Sequence, residues 1–246
     1  GLNEAFLIDE GINEEIIRAN PKNSDLIKPF LTGAEIKRYA IKSKKNHIIL
    51  TKIGVDIHKY PEIFKHLSNF QEALEKRWDK GDYWYELRAC AYYDSFDKPK
   101  IIWGNLTKRS SFTLDEKYRF YVNAPACILS TNSKYVLGIL NSKLMTYFLK
   151  SISAERQGGY IEQKPVYVSQ VPIKKSSEHQ KEEINQLVEK MLSLNQRINE
   201  MGDKNTNERA KVEEEINKVD TEIDELVYKI YGLDEAERKI VEDSIK

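Results

Sequence analysis

From residue 184 onward the apolar residues fall into two uninterrupted heptad seams. Ile184, Leu187, Met191, Leu194, Ile198 and Met201 recur at intervals of 3, 4, 3, 4 and 3 residues. Val212, Ile216, Val219, Ile223, Leu226 and Ile230 then recur at 4, 3, 4, 3 and 4. A repeat of this period places one apolar stripe along a helix and asks for a partner stripe to cover it. Between the seams stands GDKNTN (Gly202–Asn207), a cluster of helix-ending and turn-forming residues. The pattern therefore predicts two antiparallel helices joined by a short turn. Each helix spans about 24 residues, or about 36 Å, which is close to one turn of B-DNA and suits a projecting spacer arm. Periodicity does not separate that role from mutual stabilisation or a dimer seam. A short amphipathic segment, Leu233–Ile245, is expected to fold back on the pair.

Charge divides the chain at the same place. From Lys181 to Lys246 there are 11 Lys and Arg against 18 Asp and Glu; before it there are 28 against 21. A basic body with an acidic helical tail fits a polyanion-binding domain joined to a solvated helical element. Apolar residues make up 40% of the chain, enough for a core, and 32% are charged, which marks a solvated surface. No apolar run approaches the roughly 20 residues of a membrane helix, and GLNEAFLIDEG lacks the basic and apolar regions of a signal peptide. The chain opens without a methionine and runs straight into apolar residues, so a strand partner upstream, and a longer parent polypeptide, are expected. Cys90 and Cys127 match no metal or redox spacing. They read as buried structural thiols of a reducing cytoplasm.

The body reads as α+β, with a mixed sheet. His47–Leu50, Lys100–Trp103, Phe112–Leu114, Arg119–Val122, Cys127–Leu129 and Val171–Ile173 are strand candidates. Pro61 suits a first helical turn, and Ile63, Phe64, Leu67, Phe70 and Leu74 continue it as one stripe. Asn132 or Ser133 is placed to cap a helix carrying Val136, Leu137, Leu140, Leu144, Tyr147 and Phe148.

Common catalytic patterns are missing from the sequence. There is no GxGxxG, no GxxxxGK[ST] and no GxSxG. His47, His58, His66 and His179 form no ligand spacing. Asp25, Glu35 and Lys37 spell an acidic, acidic, lysine series of the kind that holds Mg²⁺ in nucleases. The spacing is loose, and that chemistry needs its carboxylates on adjacent strands.

Basic and aromatic residues instead gather in four segments. GDYWYELRACAYYD (Gly81–Asp94) surrounds Arg88 with tyrosines and Trp84; these rings fit either a core or a stacking surface. LTKRSSF (Leu106–Phe112) carries Lys108, Arg109 and Ser110. SAERQGGYIEQK (Ser153–Lys164) carries Arg156, Gln157, Tyr160, Gln163 and Lys164 around a Gly-Gly pair. IKRYAIKSKK (Ile36–Lys45) contributes Lys37 and Arg38, and its KSKK part fits a solvated turn equally well. Arg and Lys pair with guanine, Gln with adenine, and Lys, Ser and Tyr commonly take phosphates. Loops that carry such groups from a rigid sheet are the usual place for recognition. The segment after Lys150 stands out, because Arg-Gln-Gly-Gly has no packing reason to exist.

Six segments occur in an order that resembles one family: GLNEAFLID, LIKPFLTGAEIKRY, YPEIFKHL…KRWDKGDYWYELR, FDKPKIIWGNL, YVLGILNSKL and GGYIEQKPVYVSQVPI. The chain is similar to the TaqI-like C-terminal specificity domain of adenine-specific DNA methyltransferases and type IIG restriction-modification enzymes. More distantly it resembles the specificity subunits of type I systems, in which a recognition domain enters a coiled-coil arm through a stretch like VPI…HQKEEINQLV. The resemblance implies a mixed-sheet DNA target-recognition domain over 1–175 and an antiparallel coiled-coil arm with a short terminal helix over 176–246. It implies double-stranded DNA as partner, with no catalytic residue, metal or cofactor in these residues. Methyltransferase and endonuclease domains of the same enzyme, with S-adenosylmethionine and Mg²⁺, would supply the chemistry. An interaction module that docks a catalytic subunit through the helices is the alternative.

Overall fold

The structure is a computed structural model that describes residues 3–202 and 206–245. Its strands are β1 (Leu7–Ile8), β2 (Ile27–Leu31), β3 (Ile36–Lys37), β4 (Ala40–Ile41), β5 (Asn46–Ile49), β6 (Lys100–Trp103), β7 (Leu106–Thr107), β8 (Phe112–Asp115), β9 (Tyr121–Val122), β10 (Cys127–Leu129), β11 (Glu155–Arg156) and β12 (Tyr160–Glu162). Its helices are α1 (Asn3–Phe6), α2 (Glu10–Ala19), α3 (Pro61–Ser68), α4 (Gln71–Glu75), α5 (Tyr93–Phe96), α6 (Lys134–Asn141), α7 (Lys143–Ile152), α8 (Pro165–Val168), α9 (Glu178–Met201), α10 (Asn207–Tyr231) and α11 (Glu235–Asp243). The class is α+β, and contacts group the chain into two compact units, each discontinuous in sequence.

The first unit comprises residues 1–32, 43–98 and 117–122. Its sheet runs β1-β5-β2-β9, with β5 antiparallel to both neighbours and β9 parallel to β2. Gly1 and Leu2 of the opening segment GLNEAFLI lie outside the described residues. The rest forms one helical turn and the two-residue β1. The stripe from Ile63 to Leu74 divides into α3 and α4 at Asn69 and Phe70, yet Ile63, Leu67 and Leu74 all reach the same core with Ile8, Ile27 and Ile49. Much of GDYWYELR organises a loop. Glu86 is fully buried and accepts from the backbone N–H groups of Gly54 (2.8 Å), Asp82 (2.7 Å) and Tyr83 (3.0 Å). Arg77 donates to the carbonyls of Trp84 and Glu86. Trp84 and Tyr85 pack on the core, whereas Tyr83 stacks on Tyr85 from outside.

The second unit comprises residues 33–42, 99–116 and 123–246. Its β10-β6-β8 sheet is antiparallel, and every residue of β6 and β8 is buried. Ser133 caps α6 by accepting from the Val136 N–H. The single helix expected from Val136 to Phe148 is broken at Ser142, whose hydroxyl accepts from the Met145 N–H and starts α7. The break suits Asn141, whose side chain both accepts from the Phe112 N–H and donates to the Phe112 carbonyl, each at 2.9 Å. Val171–Ile173 is not a strand. Pro172 has no N–H for a ladder, and its carbonyl accepts from the Tyr231 hydroxyl.

The heptad seams do form a close helix pair, α9 against α10. Lys190 pairs with Glu215 and Arg197 with Glu208, so later positions of α9 meet earlier positions of α10 and the helices are antiparallel. Asp203, Lys204 and Asn205 of the expected turn lie outside the described residues. Of the roles left open by the periodicity, packing within the chain is the one seen. Ile184 and Val188 of α9 sit on Gly138 of α6, and Asn199, near the far end of α9, donates to the Ile41 carbonyl of β4 at 3.2 Å. The helices thus share a compact unit with residues 33–42 and 99–116, where the sequence reading draws its boundary at 175–176. Val188 and Val227, outside the seams, are fully buried in the core shared with α6.

Candidate nucleic-acid interface

Ten of the eleven candidate residues fall in the second unit. Seven of them lie on, or within two residues after, a strand of its small antiparallel sheet β11-β12-β7. Arg156 pairs with Tyr160, Ile161 with Thr107 and Glu162 with Leu106. The hairpin tip is Gln157-Gly158-Gly159. Both glycines have left-handed backbones, φ 84° and 75°, which explains the Gly-Gly pair.

Strand alternation divides this sheet into two faces. Ile161 is buried, and Gln163, two residues on, is buried with it. Tyr160 points out, and Lys108 places its ammonium 5.5 Å from the Tyr160 ring. Glu162 lies on that outer face and is almost covered by its own partners. Its Oε1 accepts from both Nε and Nη2 of Arg156, and its Oε2 pairs with Lys164 at 2.7 Å. The hydrogen bonds from Lys164 and Arg156 hold the Glu162 carboxyl below its usual range. Arg156 uses its Nε–Nη2 edge on Glu162, and its side chain is 58% exposed. Gln157 is exposed at the tip.

A second cluster lies where α10 meets β3 and the end of β7. Arg38 donates through Nη2 to Asp220 Oδ1 and to the Asn141 carbonyl. Arg109 reaches Asp220 Oδ2 at 3.4 Å. Burial, then repulsion by Arg38, lowers the pKa of Arg109. One helical turn along, Asp224 accepts from the Lys143 N–H at 2.8 Å, and burial pushes its carboxyl up to about 6.

Three sequence-based site expectations need correction. Ser110 is fully buried, its N–H bound to Thr146 Oγ1. Gln163 belongs to the inner face. The Arg38 side chain is only 13% exposed and is committed to Asp220 and Asn141. Lys37 is exposed on β3, and Arg88 is exposed in the first unit. The nuclease series is not assembled as that chemistry requires. Asp25 ends a 3-10 turn and accepts from the Tyr60 hydroxyl, while Glu35 is buried in another such turn. Neither carboxylate stands on a strand. Among the described residues, no group of three or more His, Cys, Asp or Glu is arranged to hold a metal ion.

A family model described as the TaqI-like C-terminal specificity domain matches residues 28–173. The chain belongs to that family. The match takes in all eleven candidate positions and ends before α9, so the helix pair follows the TaqI-like specificity domain proper. No curated protein matches the chain. Among solved structures, the fold is similar to that of the type IIL restriction-modification enzyme MmeI, determined in complex with DNA. The TM-score is 0.69 at 13% identity, covering 94% of this chain and 31% of MmeI. The likeness therefore extends beyond the specificity domain into the helices, while the chain spans about a third of its neighbour's length.

Asp220 and Glu162, the carboxylates that organise the cations of this specificity domain, were not among the residues expected from sequence. Glu162 was signalled by its alternation with Tyr160 and Lys164. Asp220 had no signal, since it stands 182 residues from Arg38.

Proposed function

We propose that this chain binds double-stranded DNA sequence-specifically, as the target-recognition portion of a restriction-modification enzyme. The observation that carries the reading is the outer face of the β11-β12-β7 sheet. There an exposed two-glycine hairpin holds Arg156, Gln157, Tyr160, Lys108 and Lys164 in one cluster, with Glu162 fixing the two cations nearest it. An arginine held by its Nε edge keeps two parallel donors for the O6 and N7 of guanine. Lys108, Lys164, Lys37 and Arg109 suit backbone phosphates. The family's description as a specificity domain, and a neighbour solved with DNA, favour this reading over other polyanions.

In the parent enzyme this portion would direct adenine methylation, and cleavage where a nuclease domain is present, by domains outside these residues. Those domains would bring S-adenosylmethionine and Mg²⁺. The parent would be a type IIG system acting in the cytoplasm. Among the described residues, no helix is long and apolar enough to cross a membrane. The alternative of docking a catalytic subunit through the heptad seams has less to stand on. Ile184, Met191, Val219 and Ile223 are fully buried within the chain itself.

The test is a binding isotherm on random duplex pools, with selection of the bound sequences, at several salt concentrations. Neutralising 6–10 phosphates would weaken binding by about 10³–10⁵-fold between roughly 50 and 200 mM salt. A salt-insensitive isotherm, or selection that enriches no sequence, would reject the reading.

A further inference from the structure

We propose that Asp220 is a positioning residue that holds Arg109 in reserve, so that a DNA phosphate recruits this arginine only by exchanging it with an internal carboxylate. The inference rests on the DNA-binding reading above and deepens it.

The two guanidinium groups on Asp220 are unequal. Arg38 is 13% exposed and has a second anchor on the Asn141 carbonyl. Arg109 is 49% exposed, meets Asp220 at 3.4 Å and follows Lys108 at the rim of the outer face. Arg109 is therefore the partner that can leave. Its departure does not strand a buried charge, because Arg38 stays on Asp220. That asymmetry matters, since an unpaired carboxylate in this setting would oppose the exchange. The surrounding charges pull both ways. Arg38 repels Arg109 across the shared carboxylate, while Asp224 adds a smaller attraction that Lys143, through its N–H and its ammonium, partly offsets. The backbone need not move, because the next residue, Ser110, is buried and fixed on Thr146. Only the Arg109 side chain turns outward.

Asp220 thus competes with DNA for a cation. Removing the competitor should strengthen binding, opposite to what loss of a merely structural residue would do. In the intact polypeptide, Asp220→Asn is expected to raise affinity for duplex DNA about two- to fivefold, the range set by one half-exposed ion pair. Arg109→Ala is expected to reduce the slope of log affinity against log salt by about one. In the Arg109→Ala background, Asp220→Asn should give no gain.

Equal effects of Asp220→Asn with and without Arg109 would overturn the inference. So would an unchanged salt slope in Arg109→Ala, a measurement that stands even if Asp220→Asn does not fold. These outcomes are separable from failure of the functional reading, in which the unmodified protein itself would show no salt-dependent, sequence-dependent binding.

Discussion

Gly138 lies so close to Ile184 that a Cβ built on it would stand 2.7 Å from the isoleucine Cγ2, and 3.0 Å from Cγ2 of Val188. Two helices that meet without an intervening side chain fix each other's position. The atoms met belong to β-branched side chains, which have little freedom to turn aside. Gly138→Ala should therefore destabilise the second unit by about 1–3 kcal/mol, despite the roughly 1 kcal/mol by which alanine favours a helix. Urea unfolding checks this. Placing Ile184→Ala in the same chain should cost less than the two single effects added.

Lys100 and Asp115 form an ion pair at 2.8 Å with both side chains fully buried. Such a pair offsets its own desolvation poorly, but half of it is worse than none. Lys100→Met is expected to cost about 3–5 kcal/mol. The double variant Lys100→Met/Asp115→Leu should recover most of that. Equal stability of single and double variants in denaturant titrations would contradict the argument.

Asp224 gives a pH dependence with a definite sign. Burial raises its carboxyl from 3.8 to about 6, so the folded chain holds that proton more tightly than the unfolded one. The contribution to stability is fully present below about pH 4 and is lost as pH rises through about 6. Asp224→Asn, whose amide oxygen still accepts from the Lys143 N–H, should leave stability near pH 4 little changed. By pH 7 it should gain on the order of 2–3 kcal/mol over the parent. Thermal melts across that range would show the gap opening with pH.

At the outer face, Arg156→Ala should cost about 1–3 kcal/mol of binding to the selected duplex and relax discrimination at one base pair. Glu162→Gln should relax the same position, because it loosens the side chain that fixes the Arg156 edge. Uniform weakening over all sequences would make Arg156 a phosphate contact instead. Competition binding with singly substituted duplexes distinguishes the two.

What the sequence made legible was local. The strand Lys100–Trp103, the cap at Ser133 and both heptad seams follow from short-range pattern and turn chemistry, and all appear. Helix breaks were harder, because at Ser142 a local cap on Met145 acts together with Asn141, which binds the backbone of Phe112, a contact 29 residues away. In the candidate interface, the cations at the hairpin were readable as residue types. Their partners mostly were not: the carboxylate shared by Arg38 and Arg109 is supplied by α10. Gln163 was assignable inward from alternation alone, since it follows the buried Ile161 by two.

The seating of α9 on Gly138 bears on how specificity could be exchanged between relatives. A swap of only the polar loops leaves the helical underside intact and suits small changes of target. A fusion junction at 175–176 pairs α6 and Gly138 with a helix that was not shaped to meet them, in place of Ile184 and Val188. Chimeras that carry the donor's α9 and α10 along with its strands keep their own matched contact. Hybrid enzymes built that way should express as folded protein, and those cut at the seam should aggregate.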